Sequence, residues 1–268
     1  MVRAAAEGAA AARFEEERRV IMDMTIEAGR QDNATKGALD HASVAAVLSD
    51  RAASYRLFSR LFLKPLEEPE IDNLAAMALE SQARDLDEGS LLAEGFNDMG
   101  RGLHRRHTGT TRLLRTDYTM CFDGVSSQDG LVAVPYASVF NGSITGEKAV
   151  LFQEPRAKDL KAYRREGVMV DPDLHLPEDH LSFELSFMAD LSDKTAEAWT
   201  TGSRDEALRL IDASQEFLRE DILSWYEPFY DLALKIVQTR FYRGVLKAAF
   251  GFLQLDNETL EDLRDALA

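Results

Sequence analysis

From Ser43 onward the apolar positions fall at helical spacing. Val44, Val47, Leu48, Tyr55, Phe58, Leu61 and Phe62 recur three, four or seven apart, which predicts an amphipathic helix. Lys64-Pro65 ends it, because a proline ring disfavours helical backbone in the residue before it. Ile71, Leu74, Ala75, Ala78 and Leu79 predict a second helix, opened by Glu67-Glu68-Pro69-Glu70, whose carboxylates suit the positive end of a helix. Residues 91–107 and 110–122 read as two more, the latter carrying Leu113, Leu114, Tyr118 and Phe122. Residues 156–168 read as a short charged helix, followed by the Pro-bounded loop DPDLHLP that runs into Glu178-Asp179.

The last hundred residues carry the strongest helical pattern. Leu181, Leu185, Met188 and Leu191 form one stripe. Leu208, Ile211, Phe217, Leu218 and Ile222 form another, with Ser203 as N-cap and Glu206 three residues on, as in a capping box. Trp225, Phe229, Leu232, Ile236, Phe241, Val245 and Phe252 continue it, Pro228 being tolerable near a helix start, and Leu260, Leu263 and Leu267 predict a short final helix. Residues 123–150 differ: Gly124, Gly130, Gly142 and Gly146 punctuate a β-branched and aromatic stretch whose periodicity allows a hairpin. Residues 1–42 are rich in Ala, Glu and Arg with few large apolar side chains, and are expected to form an N-terminal extension, mobile or loosely docked. About eight to ten helices and no strand series predict an all-α fold, a single-domain helical bundle over residues 43–268.

Composition narrows the class. With 31 Lys+Arg against 47 Asp+Glu, the net charge of −16 argues against a nucleic-acid binder, which needs clustered cations to displace phosphate counterions. Residues 171–268 hold 21 acids and 9 bases, so most of the excess lies in the last third, on a solvated helical surface or on a face for a cationic partner. One cysteine excludes an internal disulfide framework and fits a reducing compartment. No apolar run approaches the ~20 residues of a membrane span, and the first residues lack the continuous apolar core of a secretory signal. The expectation is a cytoplasmic protein without stable membrane insertion.

Signatures of phosphate-binding loops, dinucleotide folds, serine hydrolases and zinc proteases are absent. Cys121 sits on a helical apolar pattern with no nearby histidine in sequence, as a buried structural thiol would. One dense polar cluster stands out, Pro177-Glu178-Asp179-His180-Leu181-Ser182-Phe183-Glu184. On a helix His180 and Glu184 share a face, offset by roughly 100° from the Leu181/Leu185/Met188 stripe, so they are expected to border the core without lying inside it. Three arrangements fit: a structural cap with a satisfied histidine, a metal site using His180 and Glu184 with a third ligand, or a binding site for a cationic or hydrogen-bonding ligand. A second segment, Val134-Pro135-Tyr136-Ala137-Ser138-Val139-Phe140, either offers aromatic contact area to a peptide or packs Tyr136 and Phe140 inward.

Together these segments resemble the TorD/DmsD/NarJ family of molybdoenzyme maturation chaperones. PEDHLSFELSFMADL at 177–191 is similar to that family's Pro-x-Asp-His helix start. RAASYRLFSRLFLKP at 51–65, LLRTDYTMCFDG at 113–124, VPYASVFNG at 134–142 and FLREDILSWYEPFY at 217–230 resemble other family segments, in the family's order. The resemblance, over about residues 43–255, implies a TorD-like all-helical fold, with residues 123–150 a loop and helix, not a hairpin. It implies no enzymatic activity and no resident cofactor. The implied partner is an apo-molybdoenzyme catalytic subunit, bound by its N-terminal twin-arginine signal peptide and held from export until the cofactor is inserted. It also implies a monomer or homodimer.

By position Pro177, Asp179 and His180 match the family motif associated with signal-peptide binding, and Pro135, Tyr136 and Ser138 match the other wall. Phe140, Phe183 and Trp225 are expected to line a groove for the peptide's apolar stretch. Asp179 is the expected arginine contact. His180 is expected to hydrogen-bond peptide backbone and, with an ordinary pKa near ~6.5, to make affinity pH-sensitive; Glu184 is expected to orient it. The chain departs from the family at Asp221, where FLxxHLxxW carries histidine. Two other readings remain at this point, a helical metal-dependent enzyme using His180 and Glu184, or a structural subunit of a redox complex.

Overall fold

The computed structural model describes residues 41–104, 106–125, 131–140 and 154–268. Their helices are α1 (His41–Leu63), α2 (Glu68–Ala76), α3 (Leu91–His104), α4 (Thr110–Phe122), α5 (Glu154–Arg165), α6 (Leu181–Thr200), α7 (Arg204–Phe217), α8 (Ser224–Ile236) and α9 (Arg240–Leu267). A helical turn at Leu79–Gln82 lies between α2 and α3, and a wider π turn, Leu218–Leu223, joins α7 to α8. The described residues contain no strand, so the fold is the all-α bundle that the periodicity predicts. The expected extension falls almost wholly on residues 1–40, which lie outside the described residues.

Two long-range pairings organise the bundle: α1 runs along α6, and α3 along α9, with α7 packed on both α6 and α9. The α3–α9 seam is close because glycine supplies it. A Cβ on Gly95 would lie 2.3 Å from the Ala248 nitrogen, and one on Gly251 2.3 Å from the Leu92 nitrogen, so neither position has room for a side chain. Between the pairs lies an aromatic core of Phe62, Tyr118, Phe122, Trp225, Tyr226, Phe229 and Tyr242, all at most 3% exposed. Edge-to-face contacts run through it, for example Phe62 on Phe122 at 5.6 Å and Trp225 on Phe229 at 5.7 Å.

Buried polar groups tie the helices together. Arg51 of α1 donates to both oxygens of Asp256 in α9, at 2.5 and 2.9 Å, and to the Ser192 hydroxyl of α6 at 2.8 Å. The Tyr55 hydroxyl completes the set by donating to Asp256 at 2.6 Å. Asp117 of α4 pins the α8–α9 corner, accepting from the Gln238 and Thr239 backbone N–H groups at 2.8 Å each and from the Thr239 hydroxyl at 2.5 Å. Thr239 in turn caps α9, its hydroxyl oxygen accepting from the Tyr242 N–H.

Several local expectations change. The Ser203 side chain makes no capping bond, and Glu206, the partner a capping box needs, pairs with Arg209 instead. Pro228 lies inside α8, not at a start, because α7, the π turn and α8 follow without a break; the π turn absorbs the register just upstream of a residue that cannot donate. The stripe from Trp225 to Phe252 is interrupted at Val237–Thr239, where the chain turns. Leu260, Leu263 and Leu267 belong to the 28-residue α9, not to a separate short helix. Leu113 is 52% exposed, off the buried face of α4. Cys121 is fully buried, and burial pushes its thiol well above the usual range, which makes it inert.

Candidate functional site

The two segments that sequence reading singled out, residues 134–140 and 177–184, lie side by side. Tyr136 and His180 form an isolated antiparallel bridge. The Ala137 N–H donates to the Asp179 carbonyl at 3.1 Å, and the Leu181 N–H to the Pro135 carbonyl at 2.9 Å. The described part of residues 123–150 therefore pairs with a distant segment and turns helical at 137–140, and no hairpin forms within it. Residues 126–130 and 141–150 lie outside the described residues.

Asp179 works across this pairing. Its Oδ2 accepts from the Ser138 N–H at 3.0 Å, capping the turn at 137–140 from another part of the chain. Its Oδ1 has no partner, and the residue is fully buried. Pro135 is buried too, its carbonyl used in the bridge, whereas Pro177 is half-buried, its carbonyl accepting from the His180 N–H at 3.1 Å.

His180 is the N-cap of α6. Its Nδ1 accepts from the Ser182 N–H at 3.1 Å and lies 2.8 Å from the Ser182 hydroxyl, so the neutral ring carries its proton on Nε2. The Tyr136 ring meets it edge-on at 4.9 Å, and it is 3% exposed. Burial lowers its pKa to about 3. It is neutral at every physiological pH, which overturns the expected pH-sensitive histidine: a buried ring that accepts a backbone N–H through Nδ1 has no use for a second proton there. The expected support from Glu184 is also absent, since Ser182 orients the ring.

Burial runs further than the periodicity implies. Asp179, His180 and Glu184 lie inside the core, not at its border, because the bridge clamps residues 135–138 over the start of α6. Phe140, Phe183 and Trp225 are 5%, 7% and 0% exposed. Phe140 stacks on Trp225 at 5.8 Å and 18°, so these rings form a packed floor where an open groove was expected.

On that floor sits a cluster of acids. Glu184 is fully buried with both carboxyl oxygens unpartnered, and the unpartnered Ser138 hydroxyl and Trp225 indole N–H are buried as well. Burial pushes the Glu184 carboxyl well above the usual range, and nearby Asp159, Asp179 and Asp221 push it further. Trp225 stabilises its charged form without a well-formed hydrogen bond. Asp159, from α5, is 1% exposed, and burial followed by Asp221 and Asp179 raises it to about 9. Asp221, on the π turn, is raised by burial and accepts an ion pair from Lys158 at 2.9 Å; Lys158 also reaches Glu220 at 3.2 Å. The residue that departs from the family pattern thus adds a carboxyl to the cluster. Two contacts fasten α5 here: the Tyr163 hydroxyl donates to the Glu178 carbonyl at 3.1 Å, and Arg156 pairs with the Glu178 carboxylate.

Sequence reading missed Asp159. The available trace was Tyr163, the single aromatic of α5: a residue four positions earlier shares its face, so burying the ring carries Asp159 inward with it. Among the described residues no group of three His, Cys, Asp or Glu side chains is placed to hold a metal ion. No described helix is long and apolar enough to cross a membrane.

Comparison with known proteins gives a consistent picture. The family described as nitrate reductase delta subunit matches over residues 72–231, a span that includes both paired segments and Trp225. The chaperone protein TorD of Vibrio atlanticus (strain LGP32) is 28% identical over 211 residues, covering 78% of this chain and 94% of that protein. TorD of Vibrio parahaemolyticus is 27% identical over 210 residues, with the same coverage. TorD of a Psychrobacter species is 26% identical over 231 residues, covering 81% of this chain and 94% of that protein.

Proposed function

Because the chain belongs to the nitrate reductase delta subunit family, and is accordingly a chaperone of molybdoenzyme maturation and not an enzyme, we propose that it binds the N-terminal twin-arginine signal peptide of an apo-molybdoenzyme catalytic subunit. Held there in the cytoplasm, the client is kept from export until its cofactor is inserted. The peptide is received where residues 135–140 meet residues 177–184, with Pro135, Tyr136, Ser138, Phe140, Pro177, Asp179, His180, Glu184 and Trp225 as the contributing residues.

The observation that carries this reading is the gathering of unsatisfied polar atoms on an aromatic floor. Buried polar groups in native proteins are nearly always hydrogen-bonded, because an unmade bond there costs roughly 1–3 kcal/mol. Here Asp179 Oδ1, both Glu184 oxygens, the Ser138 hydroxyl and the Trp225 N–H lack partners. Acceptors predominate, which suits a ligand rich in N–H donors, as a guanidinium is. The rings of Tyr136, Phe140 and Trp225 suit the apolar residues that accompany the arginines.

Calorimetric titration with a twin-arginine peptide, its arginine-to-lysine variant and a scrambled control tests the reading. Micromolar or tighter binding is expected, weakened about tenfold or more by Asp179→Asn and by the lysine peptide, and weakened by salt. Equal affinity for the scrambled peptide refutes signal recognition.

A further inference from the structure

Eight buried side-chain polar atoms among the described residues have no hydrogen-bond partner, and six of them belong to Ser138, Asp159, Asp179, Glu184 and Trp225. The elements that meet there come from four parts of the chain: the 135–138 segment, α5, the start of α6, and the π turn with the first residues of α8. Two of the unpartnered groups, the Ser138 hydroxyl and the Trp225 indole N–H, are donors on residues 1% and 0% exposed. The site is thus more than a patch of acids. It holds buried carboxyls together with neutral donors, one of which, the Trp225 N–H, faces Glu184.

Lys158 is the cation that answers Asp159, but it stands at the rim. Its side chain is 46% exposed and already engages Asp221 and Glu220. It leaves the inner pair, Asp159 and Glu184, without a charged partner. We propose that the carboxyls of Asp159 and Glu184 are a receptor for one guanidinium group, an arginine of the client's N-terminal peptide, which enters past Lys158. This rests on the peptide-binding reading above and goes beyond it in pairing Asp159 of α5 with Glu184 of α6 as an arginine contact.

The chemistry selects the ligand. A guanidinium is planar, permanently charged, weakly hydrated and carries five N–H donors, so it can give hydrogen bonds to two carboxylates at once. A lysine ammonium is compact and strongly hydrated, and loses more on entering a buried site. The Trp225 indole N–H then donates to ionised Glu184.

A proton balance follows. Before peptide binds, Asp159 and Glu184 are largely protonated at neutral pH, both through burial first, then Asp159 through Asp221 and Asp179, and Glu184 through Asp159, Asp179 and Asp221. Lys158 opposes this from α5, while Glu178 adds to the charge facing Asp159. Tyr163 faces both carboxyls as a neutral phenol, Arg156 is taken up by Glu178, and His180 stays uncharged. When the guanidinium enters, the carboxyl O–H bonds break, the protons pass to buffer, and the guanidinium keeps its charge. Binding therefore tightens as pH rises from about 6 to 9, up to tenfold per pH unit for each proton released. A charged-histidine contact to the peptide would give the opposite sign.

The test is calorimetric titration of the full chain with a synthetic twin-arginine peptide at pH 6, 7 and 8, in phosphate and in Tris, whose ionisation enthalpies differ. A peptide carrying citrulline, the neutral isostere of arginine, serves as control. The expected results are three- to tenfold tighter binding per pH unit, net proton release, and a tenfold or greater loss with citrulline. Asp159→Asn and Glu184→Gln should each weaken binding at least tenfold and reduce proton release, while an unchanged or raised Tm shows that the variants fold. Wild-type affinity and proton release in both variants overturns the receptor and leaves the peptide-binding reading intact. If no twin-arginine peptide binds, that reading fails. Acetyl-arginine-amide then decides the receptor alone: millimolar ligand raising the Tm of the wild type but not of Asp159→Asn supports it, and no shift overturns it.

Discussion

Two sets of buried charge lie in this bundle, and they are built on opposite principles. At the α1–α6–α9 junction every member is answered: Arg51 makes a forked pair with Asp256, Ser192 takes its third bond, and Tyr55 donates to the same carboxylate. Beneath the 135–138 segment, Asp159, Asp179, Glu184 and Asp221 crowd together with one half-exposed lysine at the edge. Desolvation acts on both sets. In the first it is offset by geometry, the carboxylate being gripped by a forked guanidinium. In the second it is left standing, and Asp159 and Glu184 hold protons. The complete set fastens three helices; the incomplete one lacks a guanidinium of the kind that Arg51 supplies to Asp256.

Removing the cation from the complete set should have the largest effect. Arg51→Met leaves Asp256 buried and uncompensated, and is expected to lower stability by about 3–5 kcal/mol in urea unfolding. A loss below about 1 kcal/mol would mean that the junction is not a structural clamp.

Asp159→Asn should act in the opposite direction. The folded chain holds this carboxyl's proton up to about pH 9, whereas the unfolded chain releases it near pH 4, so the native state binds more protons between those values and the wild type loses stability as pH rises through them. The asparagine variant escapes that loss. It should be more stable than wild type by about 1–3 kcal/mol at pH 8, with the gain shrinking toward pH 5. Thermal unfolding at the two pH values checks this, and a destabilised variant at pH 8 would place Asp159 with the complete set.

Lys158→Met should change stability by less than about 1 kcal/mol, because a half-exposed ion pair is screened by solvent. A larger loss in chemical denaturation would make the lysine a member of the core. The smallest effect belongs to His180, whose ring C2–H resonance should not titrate between pH 5 and 8. A midpoint near 6.5 in that NMR experiment would put the ring in solvent.

The helices were legible in the sequence because their apolar spacing is local. The α4 boundaries at Thr110 and Phe122 and the stop before Pro65 follow from a few consecutive residues. The site was half legible. Pro135 through Phe140 and Pro177 through Glu184 stood out by residue type, but their depth depends on a bridge between segments about forty residues apart, which no helical wheel contains. Asp159 was illegible for the same reason. On a helix as charged as EPRAKDLKAYRR an aspartate reads as solvent-facing until Tyr163, Glu178 and Asp221 are seen around it. Ser203 errs the other way: it has the right type and spacing, and its side chain makes no capping bond.

The glycine seam bears on how the chain is made. Synthesis is vectorial, and α9 leaves the ribosome long after α3. Gly95 meets Ala248, so at about 5–20 residues per second the interval between them is on the order of 10–30 s. Throughout it Leu92, Phe96, Met99 and Leu103 of α3 have no α9 to cover them. A protein that shelters another chain during maturation itself emerges with an apolar stripe in need of shelter, and cooler, slower expression should raise its soluble yield less than co-production of a general holdase.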